Sequence, residues 1–155
     1  MGIATSATSY PAVTDALIAG FGAAPDLSGV QIIDGPPTRN VTLEPDVIVV
    51  GFSTERPAME VTQSEQNLAA TRDREDYDLV CLASSWRGES GVKAVRDRCA
   101  ALVDAMNQVL IADRRLGGAC LHARLSVHSV APIQTDTGPC CTAEVLISIN
   151  ALTKR

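Results

Sequence analysis

This chain predicts an α+β fold, a mostly antiparallel sheet with two helices packed on one face. Three observations carry that prediction. Two stretches keep apolar residues at steps of three and four, the period of a half-buried helix. Six shorter runs either alternate apolar with polar residues or are apolar throughout, as strands do when covered on one face or on both. Their order (helix, four strands, helix, two strands) puts strands beside strands, which favours hairpins over parallel crossovers. At 155 residues the chain fits one domain, residues 10–155, long enough to bury about two thirds of its unfolded surface. A short arm, residues 1–9, precedes it.

The arm, Met1 to Ser9, is mostly Ala, Ser and Thr with little to bury, so mobility is expected there. Pro11 suits the first turn of a helix, where its missing N–H costs nothing, and Val13, Ala16, Leu17, Gly20, Phe21 and Ala24 keep helical spacing until Pro25. Val30 to Asp34 reads as a short strand closed by Gly35, Pro36 and Pro37. Arg39 to Pro45 reads as loop. From Asp46 to Phe52, Val47, Ile48, Val49 and Val50 run without a polar break, the pattern of a central strand covered on both faces. Met59 to Gln63 alternates and should be more exposed. Ser64 to Asp76, polar and dense in charge, reads as a long hairpin tip, and Tyr77 to Ala83 as the returning strand.

Ser84 to Glu89 should turn the chain, and Ser90 can cap the helix that follows by accepting a backbone N–H. That helix, Gly91 to Arg114, is the longest patterned segment. Val92, Val95, Cys99, Leu102, Met106 and Val109 form one apolar stripe; Ala94, Ala101, Ala105 and Ala112 form a second, where another backbone could approach closely. Arg114 and Arg115 complement its negative end, and Gly117 with Gly118 ends it. The last two strands alternate: Leu121, Ala123, Leu125 and Val127, then Ala143, Val145, Ile147, Ile149 and Ala151, with a turn at Thr135 to Pro139.

Composition narrows the function. Only 3% of residues are aromatic, which argues against a groove that stacks single-stranded bases. A net charge of −5, with no Lys/Arg patch, disfavours gripping phosphate backbones but not letting DNA pass. No apolar run is long enough for a membrane span, and Met1 to Ser9 lacks the basic start and apolar core of a signal peptide, so synthesis in the cytosol is expected. The cysteines, Cys81, Cys99, Cys120, Cys140 and Cys141, are odd in number and unpaired in spacing. They read as small buried hydrophobes rather than a disulfide framework or a zinc site.

Chemistry finds little foothold. His122 and His128 are the only histidines; on one strand they would lie roughly 20 Å apart, too far to share a metal whose ligand bonds are about 2 Å. They read as ordinary sheet-surface residues. Cys120 and His122 could form a nucleophile and base only if a turn folded one onto the other, since strand neighbours two apart lie about 7 Å apart. The run Asp73, Arg74, Glu75, Asp76 and Asp78 lacks the glycine and closing glutamate of a calcium loop, and Arg72 and Arg74 compete for its carboxylates. A solvated, self-neutralising hairpin is the plainer reading. No phosphate loop, Gly-x-Ser-x-Gly elbow or His-Glu-x-x-His occurs, so neither catalysis nor a cofactor is expected. Trp86, the sole tryptophan, reads either as a plug over the end of the sheet or as an interface anchor.

Several segments together resemble one family. Val13-Thr14-Asp15-Ala16-Leu17, Gly29 to Pro37, Pro45 to Phe52, Tyr77 to Gly88, Leu116-Gly117-Gly118 and Gln134 to Gly138 match, in order, the pattern of tail terminator proteins of long-tailed phages infecting actinobacteria. The resemblance spans Tyr10 to Thr153, each piece alone being a weak motif. It implies the compact α+β domain of tail terminators, a hexameric ring and a place in the virion neck. Such a ring caps the head-proximal end of the tail tube, stops further tube subunits from adding, and presents a surface to the head-tail connector or stopper, with DNA only passing through its lumen. No catalytic residue belongs to the family. Ring closure needs two different lateral patches per subunit; exposed sheet edges and the alanines Ala94, Ala101 and Ala105 are candidates, with Trp86 and Arg87 beside them. The arm and the hairpin carrying Arg72 and Arg74 are candidates for axial contacts. Another neck component, a tail tube subunit and, more remotely, a small thiol enzyme stand as alternatives.

Overall fold

A computed structural model describes residues 6–65, 72–88 and 91–154. The elements are α1 (Tyr10–Ala23), β1 (Gln31–Asp34), β2 (Asp46–Val50), β3 (Val61–Glu65), β4 (Arg72–Trp86), α2 (Val92–Ala112), β5 (His122–Thr135) and β6 (Gly138–Lys154). The sheet runs β1-β2-β4-β6-β5, with β3 paired to β4 beyond the end of β2. Among the described strands only the β1–β2 pair is parallel. This is the α+β architecture the sequence predicts.

Both helices lie on one face. Val13, Leu17 and Phe21 of α1 and Val95, Cys99, Leu102, Met106 and Leu110 of α2 share one core with Ile48, Val50, Leu79, Cys81, Val145 and Ile147. Each large side chain buried there stabilises the fold by roughly 1.5–3 kcal/mol, so these three- and four-residue steps are what hold the helices to the sheet. A smaller cluster, Ile33, Val47 and Val49 with Phe52 and Leu82, sits on the opposite face. β2 is therefore buried on both sides as its unbroken apolar run predicts, although the middle of the sheet is β4.

Several boundaries differ from expectation, among them the end of β4: Ser84–Trp86, expected in a turn, stay in the strand because they still pair with β6. β2 stops at Val50 because Gly51 adopts φ 74°, a conformation glycine tolerates best, and turns its own N–H and that of Phe52 onto the Val80 carbonyl. β4 starts at Arg72, so Arg72–Asp76 are ladder residues paired to both β3 and β6, not hairpin tip; residues 66–71 of the expected tip lie outside the described residues. β5 continues to Thr135 through a bulge between Val127 and Ser129, which spoils the alternation that marks its first half. The long helix spans Val92–Ala112, and the expected cap, Ser90, lies outside the described residues.

Candidate functional site

The face away from the helices is open and polar over much of its area. On β4, Asp76 and Asp78 point there, beside Asn150 and Ser148 of β6 and His122 and Arg124 of β5. With Glu60 they line a shallow depression of ≈ 560 Å³. Its two aspartates are already engaged: Asp76 with Asn150 Nδ2 and, at 3.5 Å, Arg74 Nε; Asp78 with Ser148 Oγ at 2.6 Å. Among the described residues no three His, Cys, Asp or Glu gather as metal ligands. The depression is a hydrogen-bonded surface grid.

The two edges of the sheet differ sharply. At β1, the Gln31 side chain binds the passing loop, donating to Thr42 O (3.1 Å) and accepting from Glu44 N–H (2.8 Å). At β5, only the start is sealed: Ala123 N–H donates to Arg114 O at 2.7 Å and Arg114 Nη1 donates to Ala123 O at 3.2 Å. Both Ala123 backbone groups thus face away from β6. With a period of two, Leu125 and Val127 also face outward, and past the bulge Val130, Pro132 and Gln134 do. Among the described residues, no backbone group from elsewhere pairs with β5 from Leu125 to Gln134. Pro132, which has no N–H, falls on an outward position and so costs the β6 ladder nothing.

That free edge is also apolar. Val127, Val130 and Ile133 are 54%, 53% and 53% exposed, and every residue from Ser126 to Gln134 is exposed. Val127, Val130 and Pro132 extend the helix-covered face past where α2 shelters it, while Ala131 and Ile133 lie on the open face. On the open face Trp86, Cys140 and Ile133 fall in one cross-strand row. Trp86, 37% exposed, lies beside Gly88, and Gly138 (φ 123°) lets the Arg87–Gly88 backbone pass where a Cβ would come within 2.5 Å of Arg87 O.

Arg87 itself turns inward. It grips Asp46 with both terminal nitrogens (2.9 and 3.1 Å), while Arg98 Nε (2.8 Å) and Ser85 Oγ (2.8 Å) complete the shell. Burial alone would raise the Asp46 carboxyl, but hydrogen bonds from Arg87, Arg98 and Ser85 outweigh it and hold the pKa at about 2. This node ties the start of β2, the exit of β4 and the N-terminal half of α2.

At the other end of the same face, Glu75 is fully buried. It accepts from Ser9 N–H (2.9 Å), Ser9 Oγ (2.6 Å), Thr8 Oγ1 (3.2 Å) and Gln63 Nε2 (2.6 Å). Gln63 Nε2 also donates to Ala7 O (2.7 Å), and Lys154 N–H to Ser6 O (2.9 Å). Ser6–Ser9, within the stretch expected to be mobile, are thereby laid across the sheet as a strap. Residues 1–5 lie outside the described residues. α1 has no acidic residue in its first turn; Glu75 supplies that negative charge from β4.

The other sequence candidates scatter. Ala94 and Ala101 are exposed on α2, but Ala105 is buried, one turn before Val109, which meets α1 at Gly20. Arg74 is exposed and Arg72 half-buried at the strap end of β4. His122 and His128 are exposed, and the bulge leaves His128 without a cross-strand partner. All five cysteines are free. Burial pushes Cys81 and Cys99 up to about 12 and Cys120 up to about 11, the opposite of what a thiolate nucleophile needs. Cys120 Sγ faces the Arg114 carbonyl, 3.6 Å away. The sequence reading missed Asp46, whose arginines lie 41 and 52 positions away, and the outer half of β5. It took Glu75 for part of a solvated run, although Asp73, Glu75 and Tyr77 have the period of one strand face.

No protein-family model matches the chain, and no curated protein sequence matches it.

Proposed function

We propose that this chain is a structural subunit that closes into a ring with copies of itself and, in that form, terminates a phage tail tube and joins it to the head. One observation carries the assembly half of this reading: β5 is a long free edge, apolar on both faces. A bare edge of that kind is an aggregation hazard for a monomer, and contiguous exposed apolar surface marks a docking region. The bulge and Pro132 blunt that edge against an added strand, so the exposed side chains of Val127, Val130 and Ile133 are the part of it that a neighbour would cover. The tail-terminator half rests on the ordered sequence segments from Val13 to Gly138, with which an α+β domain is compatible.

In this reading β5 is one lateral patch, and Trp86, Ala94 and Ala101 are available to others; hexameric closure follows from the resemblance. The partners are the tail tube protein and the connector or stopper. A tube subunit or another neck component would use the same edge, but a tube subunit would add ring upon ring without limit. Electron microscopy of particles made without this chain tests the proposal. Tails of abnormal length, unjoined to heads, are expected; tails of normal length, joined to heads, would overturn it.

A further inference from the structure

We propose that the strap Ser6–Ser9 and strand β3 form one latch on Glu75, seated together or released together. Of the four hydrogen bonds to this buried carboxylate, three come from Thr8 and Ser9 and the fourth from Gln63 of β3. No cation serves it within hydrogen-bonding distance among the described residues. If the strap lifted alone, a carboxylate would stay under the fold with one neutral donor, a state that costs several times an ordinary hydrogen bond. Strap and strand share one rim there, since Thr8 together with Val61 and Gln63 lines the depression that opens onto Glu75.

β3 is built to move with the strap. It has five residues, all exposed, and among the described residues it pairs only with β4. Its Gln63 amide bridges both parts, donating to Glu75 and to Ala7 O. Segments with few buried contacts open in small cooperative units, and here a shared buried charge makes strap and strand one unit. A partner that draws away the N-terminal segment therefore loosens β3, and one that clamps β3 seats the strap. The latch does not depend on which partner does so.

Hydrogen exchange read by mass spectrometry on the full chain tests this. Thr8→Val with Ser9→Ala should speed exchange at 61–65 by about tenfold, together with exchange at 6–10. Gln63→Leu should speed exchange at Ser9 by a similar factor. Combining the strap and strand changes should speed exchange at 6–10 and at 61–65 by the same factor, because both act on one opening equilibrium. In a Glu75→Gln background, where no buried charge links the two, the strap changes should leave 61–65 untouched. Should Glu75→Gln not fold, the reciprocal pair decides alone. Acceleration confined to 6–10 in the strap variant, with 61–65 within about twofold of wild type, would overturn the latch.

Discussion

Asp46 and Glu75 sit at opposite ends of the helix-covered face, and their charges are stabilised by opposite means. Asp46 has two guanidiniums, each about a third exposed; Glu75, fully buried, has only neutral donors, three of them from a chain segment that could detach. A carboxylate that meets cations from the body of the fold is a permanent tie. One that depends on a detachable strap makes the strap's seating a condition of local stability. The end of the sheet near Asp46 should therefore be the rigid end, and the end near Glu75 the adjustable one.

The largest effect should come from emptying the adjustable site. Glu75→Leu leaves the Ser9 N–H and hydroxyl and the Gln63 amide without their acceptor, and should cost about 3 kcal/mol in urea unfolding. Asp46→Asn should cost less, about 1 kcal/mol at neutral pH. The depression of its pKa from 3.8 to about 2 corresponds to at most ~2.5 kcal/mol, and partial exposure of both arginines reduces that. Because the folded pKa is the lower one, this contribution is complete above about pH 4 and is lost as pH falls toward about 2. The wild-type stability curve should fall across that window more steeply than that of Asp46→Asn. Ser9→Ala should cost about 1 kcal/mol, since its hydroxyl serves both Glu75 and, at 2.9 Å, Tyr77. Ser85→Ala should cost only about 0.5 kcal/mol, because both arginines remain on Asp46. If Ser85→Ala proved costlier than Ser9→Ala, the contrast between the two ends would fail.

The sequence made the framework legible where one period ran unbroken. The stripes of α1 and α2, the apolar run of β2 and the alternation of β6 each identified an element and its buried face. Legibility failed where the period changed. The bulge after Val127 shifted the apolar positions of β5 from odd to even numbers, and with Pro132 in the run its second half did not read as strand. The charges of Asp73 to Asp78 hid a strand whose alternate members point to opposite faces, so Glu75 read as solvated although it is buried. The Asp46 node joins residues on three elements, and no local pattern announces a contact of that span. Trp86 was visible as a candidate because tryptophan is rare here; Ile133, in the same cross-strand row, was not.

The claim that most needs testing is that copies of this chain meet through the free edge of β5. Native mass measurement of the full chain, alone and with the tube protein of the same particle, addresses it directly when run beside Val130→Lys, a change at an exposed position that should leave thermal unfolding unaltered. A closed oligomer of fixed number for the wild type, in at least the mixture, and its loss in Val130→Lys is the expected result. A monomer in both conditions, or an oligomer of the same mass in the variant, would contradict the account.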